Sequence, residues 1–406
     1  MLEYEDYLNR TDSPMPDGRE PATIRSLRAI DEIAPAAWDA CAGNGNPFVS
    51  HAFLRALEDS KSVGPRTGWQ PHHVVLEDAG SEVLAVAPLY AKTHSQGEYV
   101  FDHGWAQAYE QAGGRYYPKL QVAVPFTPVP GPRLLVRPNA DGPQLRAALI
   151  GGMVEIARRA GVSSLHVTFA SDEDTQALEA AGLMLRLGCQ YHWANQGYET
   201  FDDFLGALAS RKRKQMRRER RDAAAGGVVL HTLEGADIKA AHWDAFFAFY
   251  MDTGGRKWGR PYLTRDFFHR LGETMSDSCV LILAEKDGAY VAGALNLRGR
   301  DAIYGRHWGC LGEYKFLHFE ACYYQAIDYA IRNKLARVEA GAQGEHKIQR
   351  GYLPTPTWSA HWIADSGFAA AVKDFLRRER AAMEQEIAGL SQFSPFRKDG
   401  DGGEAE

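Results

Sequence analysis

Apolar and polar positions follow one another along this chain in a succession that occurs twice. Near the start, TIRSLRAIDEIAPAAWDA is followed by SHAFLRALEDS and then by VVLEDAGSEVLAVAPLY, whose apolar runs flank a short polar turn. The pattern predicts a strand, two helices and a two-stranded hairpin. The second half repeats it as VVLHTLEGADIKAAHWDA, TRDFFHRLGET and LILAEKDGAYVAGALNL. Pairing Trp38 with Trp243, Glu77 with Glu285, Val83 with Val291 and Tyr99 with Tyr304 gives offsets of 205, 208, 208 and 205. An ordered series at nearly one offset predicts two copies of one globular unit. Two copies also predict a cleft between them, where ligands commonly bind.

Later in each copy comes a longer helical period. LRAALIGGMVEIARRAG places Leu145, Leu149, Val154, Ile156 and Ala157 in an amphipathic pattern, and FLHFEACYYQAIDYAIRNK is its counterpart. The strands SSLHVTF and ARVEAGA follow these helices. Strand, helix and strand in that order imply a right-handed crossover, so each sheet is predicted to be mixed. The expected fold class is α/β (α+β), with one copy at 22–195, the other at 196–385, and mostly disordered polar segments at 1–21 and 386–406.

Val167 pairs with Val338 at an offset of 171, so copy one carries about 34 extra residues, placed at about 106–140. This insertion holds Tyr109, Tyr116, Tyr117, Lys119 and five prolines between Pro118 and Pro132. A loop of that length inside a domain is usually functional or disordered, and the aromatic content favours a lid touching ligand through Tyr116, Tyr117 and Lys119.

Composition narrows the class. The chain has 406 residues, 45% of them hydrophobic, which suffices for two cores. No run of about 18 apolar residues is present, and the first residues are acidic and polar. Neither a membrane span nor an obvious signal peptide is expected, and the expected location is the cytoplasm. The five cysteines are scattered without a CxxC, and the histidines lack metal spacing, so no metal is expected.

The net charge of −6 hides one concentration of cations. Arg211 to Arg221, RKRKQMRRERR, holds eight basic residues and one acid, a local +7 against −13 elsewhere. Phe201, Phe204, Leu205, Leu208 and Met216 form an apolar stripe leading into it, which predicts one continuing amphipathic helix. Helical spacing puts Arg213 beside Arg217 and Lys214 beside Arg218. Like charges so placed repel unless an anion lies across them, so these four are the candidate phosphate contacts, for a nucleic acid or a phosphorylated cofactor.

A second dense site lies in copy two. In AIYGRHWGC, strand alternation puts Tyr304, Arg306 and Trp308 on one face and His307 on the other. LGEYKFLHFE adds Tyr314 and Lys315, and VEAGAQGEHKIQRGY adds Glu339, Glu345, His346, Lys347 and Arg350. Groups at strand ends and on the loop after a crossover helix are where open α/β sheets carry chemistry. In copy one, His103 with Asp102 and Trp105 echoes the copy-two strand.

RKRKQMRR, KDGAYVAGALNL, the helix 316–334 and AGAQGEHKIQRGY together resemble the FemAB-like branch of the GNAT acyltransferases. YVFDHGWAQAYEQAGGRYYPKLQ and RVEAGAQGEHK resemble, more narrowly, a bacterial group of peptidoglycan biosynthesis or recognition proteins. The resemblance covers about 22–380 and implies two tandem GNAT-like domains. It also implies acyl or aminoacyl transfer to an amine of a peptide, cell-wall precursor or small molecule. The R/Q-x-x-G-x-G/A turn that holds acetyl-CoA pyrophosphate is replaced here by CLGEYKFLHFE. No tightly bound cofactor is therefore expected; the donor, aminoacyl-tRNA or acyl-CoA, is a co-substrate whose phosphates meet the basic helix.

Lys347 matches the family's G-x-x-K lysine and is implied to stabilise developing negative charge. Glu339 or Glu345 is the expected acceptor of the amine proton, with His307 and His346 as rivals, and Tyr304, Arg306, Tyr314, Lys315 and Arg350 line the site. Two other classes stay open: a non-catalytic ligand-recognition protein on a decayed transferase fold, and an RNA-binding protein.

Overall fold

The computed structural model describes residues 11–13, 22–138, 140–257, 261–341 and 344–397. It comprises two compact units. The first draws on 1–188, 262–267 and 357–383, and the second on 189–261, 268–356 and 384–406.

The first unit is built on two sheets. In one, Ala22–Leu27, His73–Glu77 and Val83–Ala87 pair antiparallel in that order, with Leu135–Val136 beside Val83–Ala87. The chain leaves this sheet at Pro88, which has no N–H to extend the ladder. Leu89–Lys92 opens the other sheet, between Trp69–Pro71 and Lys119–Val122. Lys119–Val122 runs parallel to Ser164–Ala170, against which Trp358–Ile363 pairs antiparallel. Helix Gly142–Arg159 is capped by the Asp141 side chain and ends on Arg158 and Arg159, which oppose the dipole. Its Leu149, Ile150, Met153 and Ile156 pack on Ile24, Val74 and Val167. A Cβ on Gly152 would stand 1.8 Å from Ile24 Cδ1, so any larger residue here has to push the end of the Ile24 side chain aside.

The second unit is an antiparallel run of Val229–Glu234, Cys279–Lys286, Ala289–Arg298 and Ala302–Cys310. Asp287 and Gly288 have φ of 52° and 81°, as a two-residue hairpin turn requires. Ala302–Cys310 then pairs parallel with Arg337–Glu339, which pairs antiparallel with His192–Ala194. Helix Ala240–Lys257 lies so close to the sheet that a Cβ on Gly309 would meet the Phe249 carbonyl at 2.2 Å.

The parallel pairings place the repeat more accurately than sequence matching does. Val122 faces Val167 in the first unit and Ile303 faces Val338 in the second, so the first strands of the two pairs stand 181 residues apart and the second strands 171. Tyr99 and Tyr304 are therefore not counterparts: Tyr99 sits in a bend with φ of 60°, whereas Tyr304 is buried in a strand. Asp102, His103 and Trp105 do not echo that strand either, because His103–Gln111 is a helix and Asp102 precedes it. The segment expected to be a lid supplies an interior strand, Lys119–Val122, buried at every position.

Two further expectations change. The basic run and its apolar lead-in are separate helices, Phe201–Ala207 and Ser210–Ala224, because Leu208 turns extended and bridges to Phe396 while Ala209 N–H donates to the Pro395 carbonyl. At the C-terminus, helix Ser366–Ser391 extends into the expected disordered segment, and 398–406 lie outside the described residues. At the N-terminus, Thr11–Ser13 pairs with Ala22–Ile24, and the rest of 1–21 lies outside the described residues. Among the described residues no helix is long and apolar enough to cross a membrane.

Candidate active site

The second unit opens where two parallel strands part. Ala302, Ile303 and Tyr304 pair with Arg337, Val338 and Glu339, and there the pairing stops while Ala302–Cys310 runs on. Immediately beyond, Arg306 forms a bulge: Asn296 faces Gly305 and Leu295 faces His307. The helix packed alongside is irregular too, because its turn Glu320–Tyr324 is wound as a π-helix, a form frequent at functional sites. Between these irregularities lies a cavity of about 140 Å³, lined by Asn296, Arg306, Cys322, Tyr323 and Ala340. Trp308 and His318 line it as well, and they also line a wider cavity of about 560 Å³ with Thr253, Cys310, Tyr314 and Lys315.

Lys347 stands on the 3-10 turn Glu345–Arg350 and is buried. Its Nζ donates to the carbonyls of Ala340 (2.6 Å) and Gly341 (3.2 Å), and Ala340 is part of the smaller cavity's wall. Among the described residues no carboxylate pairs with it. Burial pulls its ammonium down to about 8, with the Cys322 thiol opposing that shift. The two carbonyls accept from it without cancelling its charge, so the ammonium stands as a net charge in a medium of low dielectric.

The neighbouring candidates divide. Glu339 is buried and accepts from Arg337 Nε at 2.8 Å, and Arg337 also pairs with Asp301. The Tyr304 hydroxyl lies 3.5 Å from Arg337, and burial together with Glu339 keeps it protonated. His346, on the exposed side of the turn, bonds the Tyr323 hydroxyl at 3.1 Å; burial and the charges of Arg350 and Lys347 lower its pKa. Glu345 is exposed. His307 is half-buried and lines the smaller cavity, where it packs edge-on against Tyr250 and Phe268 and burial pulls its ring down to about 3, which keeps it neutral. Arg350 is buried against Glu219 and its guanidinium lies 3.5 Å over the Phe319 ring, so it faces the protein's interior. Lys315 pairs with Asp222 at the rim of the larger cavity.

Of the basic-helix candidates, Arg217 pairs with Asp202 at 3.0 Å. Arg213, Lys214 and Arg218 have no ion-pair partner among the described residues, and the last two are exposed.

Tyr116, Tyr117 and Lys119 are brought together in the first unit, inside it. Lys119 Nζ donates to Ser95 (2.9 Å), Glu98 (2.8 Å) and Asp102, and the Tyr116 hydroxyl donates to Asp102 at 2.6 Å. Tyr117 bonds Ser95 at 2.7 Å. His103 is exposed and stacks on Phe101.

Sequence reasoning missed Asn296, Tyr323 and His318, which line the cavities, and Glu219. Only the DxxxVAG-type hairpin that delivers Asn296 carried a signal, whereas the others sit among ordinary helix residues whose wall position depends on the π turn.

A model of a family described by peptidoglycan biosynthesis or recognition, FemAB-like, matches residues 29–398. The chain belongs to that family. Among solved structures, this FemAB-like chain is similar to FemX, at 13% identity and a TM-score of 0.54 over 84% of this chain and 98% of that one. It is also similar to the C-terminal domain of a putative lysylphosphatidylglycerol synthetase from Agrobacterium fabrum, at 11% and 0.53 over 86% and 97%. A tandem GNAT protein from the clavulanic acid biosynthesis pathway aligns at 14% and 0.44 over 85% and 99%. No curated protein sequence matches. The fold of this FemAB-like chain is mixed α/β, as the succession of elements predicts, and FemX shares it.

Proposed function

We infer that this chain is an acyltransferase that moves an acyl or aminoacyl group from a phosphate-bearing donor to an amine. The observation that carries the reading is Lys347: a buried ammonium with no carboxylate partner among the described residues, holding the wall of a cavity that forms where two strands part. Acyl transfer to an amine places negative charge on the carbonyl oxygen and then on the leaving oxygen or sulfur, and such a cation lowers that barrier. The amine must lose a proton, and Glu339 and His346 are the groups near the turn that can accept it, directly or through water. Arg213, Lys214 and Arg218 suit donor phosphates, of tRNA or of CoA, because backbone phosphate contacts ask only for charge. An apolar cavity of about 150 Å³ holds one benzene, so the 140 Å³ cavity suits an acyl group of about six heavy atoms or fewer.

The FemAB-like description supports a peptidoglycan precursor as the amine-bearing acceptor. The word recognition in that description also favours a second reading, a protein that binds such a precursor without chemistry.

The deciding experiment offers the purified chain a labelled aminoacyl-tRNA pool, acetyl-CoA and longer acyl-CoAs, each with a cell-wall precursor peptide. Transfer from one donor class, lost in Lys347→Ala, is the expected result. If no donor yields product while the precursor still binds, the recognition reading replaces this one.

A further inference from the structure

One residue of the basic run points the wrong way for a phosphate surface. Glu219 is the lone acid between Arg211 and Arg221, and it is 3% exposed. Both its oxygens accept from Arg350 Nη2 at 2.9 Å, Gln215 Nε2 donates to it at 2.9 Å, and the Tyr324 hydroxyl donates to it as well. Arg350 ends the turn that carries Lys347, and its Nη1 donates to the His346 carbonyl at 2.7 Å. Tyr324 ends the π turn whose Cys322 and Tyr323 line the smaller cavity. The next residue of the helix, Arg220, grips the start of that same turn through Glu320 at 3.0 Å. One helix thus turns Arg213, Lys214 and Arg218 outward while its inner face holds the π turn, which lines the cavity, and the turn whose Lys347 bonds the cavity's Ala340.

We propose that Glu219 is a positioning residue: through Arg350 and Tyr324 it sets the Lys347 turn against the π turn that lines the cavity. A surface charge run has no use for a buried carboxylate with four donor contacts. Burying it costs free energy unless it is fully paired, and among the described residues its partners come from those two turns and from its own helix. The proposal rests on Lys347 as the charge-stabilising group of the proposed transfer, and its test separates the two.

The test reads Lys347 directly. Wild type, Glu219→Ala and Glu219→Gln are treated with sulfo-N-hydroxysuccinimide acetate from pH 6 to 10, and acetylation is followed by peptide mass spectrometry, with the exposed Lys61 and Lys373 as references. The titratable and charged groups around Lys347 are Cys322, Arg350, His346 and His192, the two histidines lowered by burial, and Tyr191, whose ring lies 5.7 Å from the ammonium. In wild type the midpoint lies near 8. In Glu219→Ala it moves up by about one pH unit or more, toward the ordinary lysine value, as the turn loosens and admits water. Glu219→Gln keeps the shape and one acceptor for Arg350, and recovers at least about half of that shift. Should Glu219→Ala fail to fold, Glu219→Asp makes the same measurement.

If Lys347 titrates and reacts as in wild type in folded Glu219→Ala, the proposal is overturned. Where transfer is observed, Glu219→Ala lowers kcat about tenfold or more and leaves the donor KM within about twofold, since the donor's phosphates meet the other face. A raised KM with unchanged kcat also overturns it. An enzyme that transfers nothing sinks the transfer reading alone, because the acetylation midpoint is measured without turnover.

Discussion

Replacing Lys119 with methionine asks whether the tyrosine–lysine cluster of the first unit is scaffold or ligand site. The side chain is fully buried and its ammonium meets Ser95, Glu98 and Asp102, while Lys92 stands 3.8 Å from the other Glu98 oxygen. Burial alone would push Asp102 up, but Lys119 and His166 outweigh it and hold that carboxyl well below the usual range. Glu98 is pushed up to about 7 by burial, against the pull of Lys119. Methionine matches the length and removes the charge, leaving Asp102 desolvated beside Tyr116. Breaking a buried pair by removing one partner costs about 3–5 kcal/mol. In a unit of this size each kcal/mol moves Tm by about 2–4 °C, so Lys119→Met should melt about 6–20 °C lower.

The sign of the pH dependence follows from the two carboxyls. Asp102, depressed in the fold, contributes stability above its unfolded value that is lost as the pH falls, and the variant lacks that contribution. Glu98, already raised, rises further without Lys119, so the variant gains at low pH and loses as the pH climbs through about 7. The gap from wild type should therefore be wider at pH 8 than at pH 5. Adding Asp102→Asn should recover about half of the loss, since it removes the orphaned charge. Calorimetry at the two pH values is the assay. If Lys119→Met melts within about 2 °C of wild type at pH 8, or the gap does not narrow at pH 5, the ion network is not what holds this cluster, and Lys119 returns as a ligand contact.

Lys347 gives the opposite sign. Its folded value near 8 lies below the unfolded 10.5, so the unfolded chain binds more protons between them; wild-type stability should rise by about 3 kcal/mol over that window while Lys347→Met stays flat, as denaturant titrations at pH 7.5 and 10.5 would show. Gly152→Ala forces a methyl into Ile24 and should cost about 1–3 kcal/mol, partly restored by Ile24→Val; equal melting temperatures for wild type and Gly152→Ala would refute the close approach. Arg213→Glu with Lys214→Glu and Arg218→Glu should weaken tRNA retention and flatten its log–log salt slope by about 2, at roughly 0.7 per lost phosphate contact; an unchanged slope removes the helix from the donor site.

Much of the architecture could be read from local pattern. The Gly142–Arg159 helix, the Asp287–Gly288 hairpin and the order of elements in both copies depend on periodicity and turn chemistry, which neighbouring residues specify. The Lys119–Val122 strand could not be read so. Four residues among prolines carry no period, and what makes them a strand is parallel pairing to Ser164–Ala170, more than forty positions away. The helix break at Leu208 was hidden for the same reason, since its cause is Phe396.

By itself the sequence determined that one scaffold is present twice, that the cations are gathered on one helix, and that a G-x-x-K turn follows the last crossover. Tertiary structure alone decided which of those charges are spent on the protein. Arg350 and Arg217 find carboxylates at Glu219 and Asp202, His307 is held neutral against aromatic rings at the cavity wall, and Lys347 is left with carbonyls. The physical reason is that a charge's energy is set by its dielectric surroundings and by partners within a few ångströms, and long-range pairing supplies both.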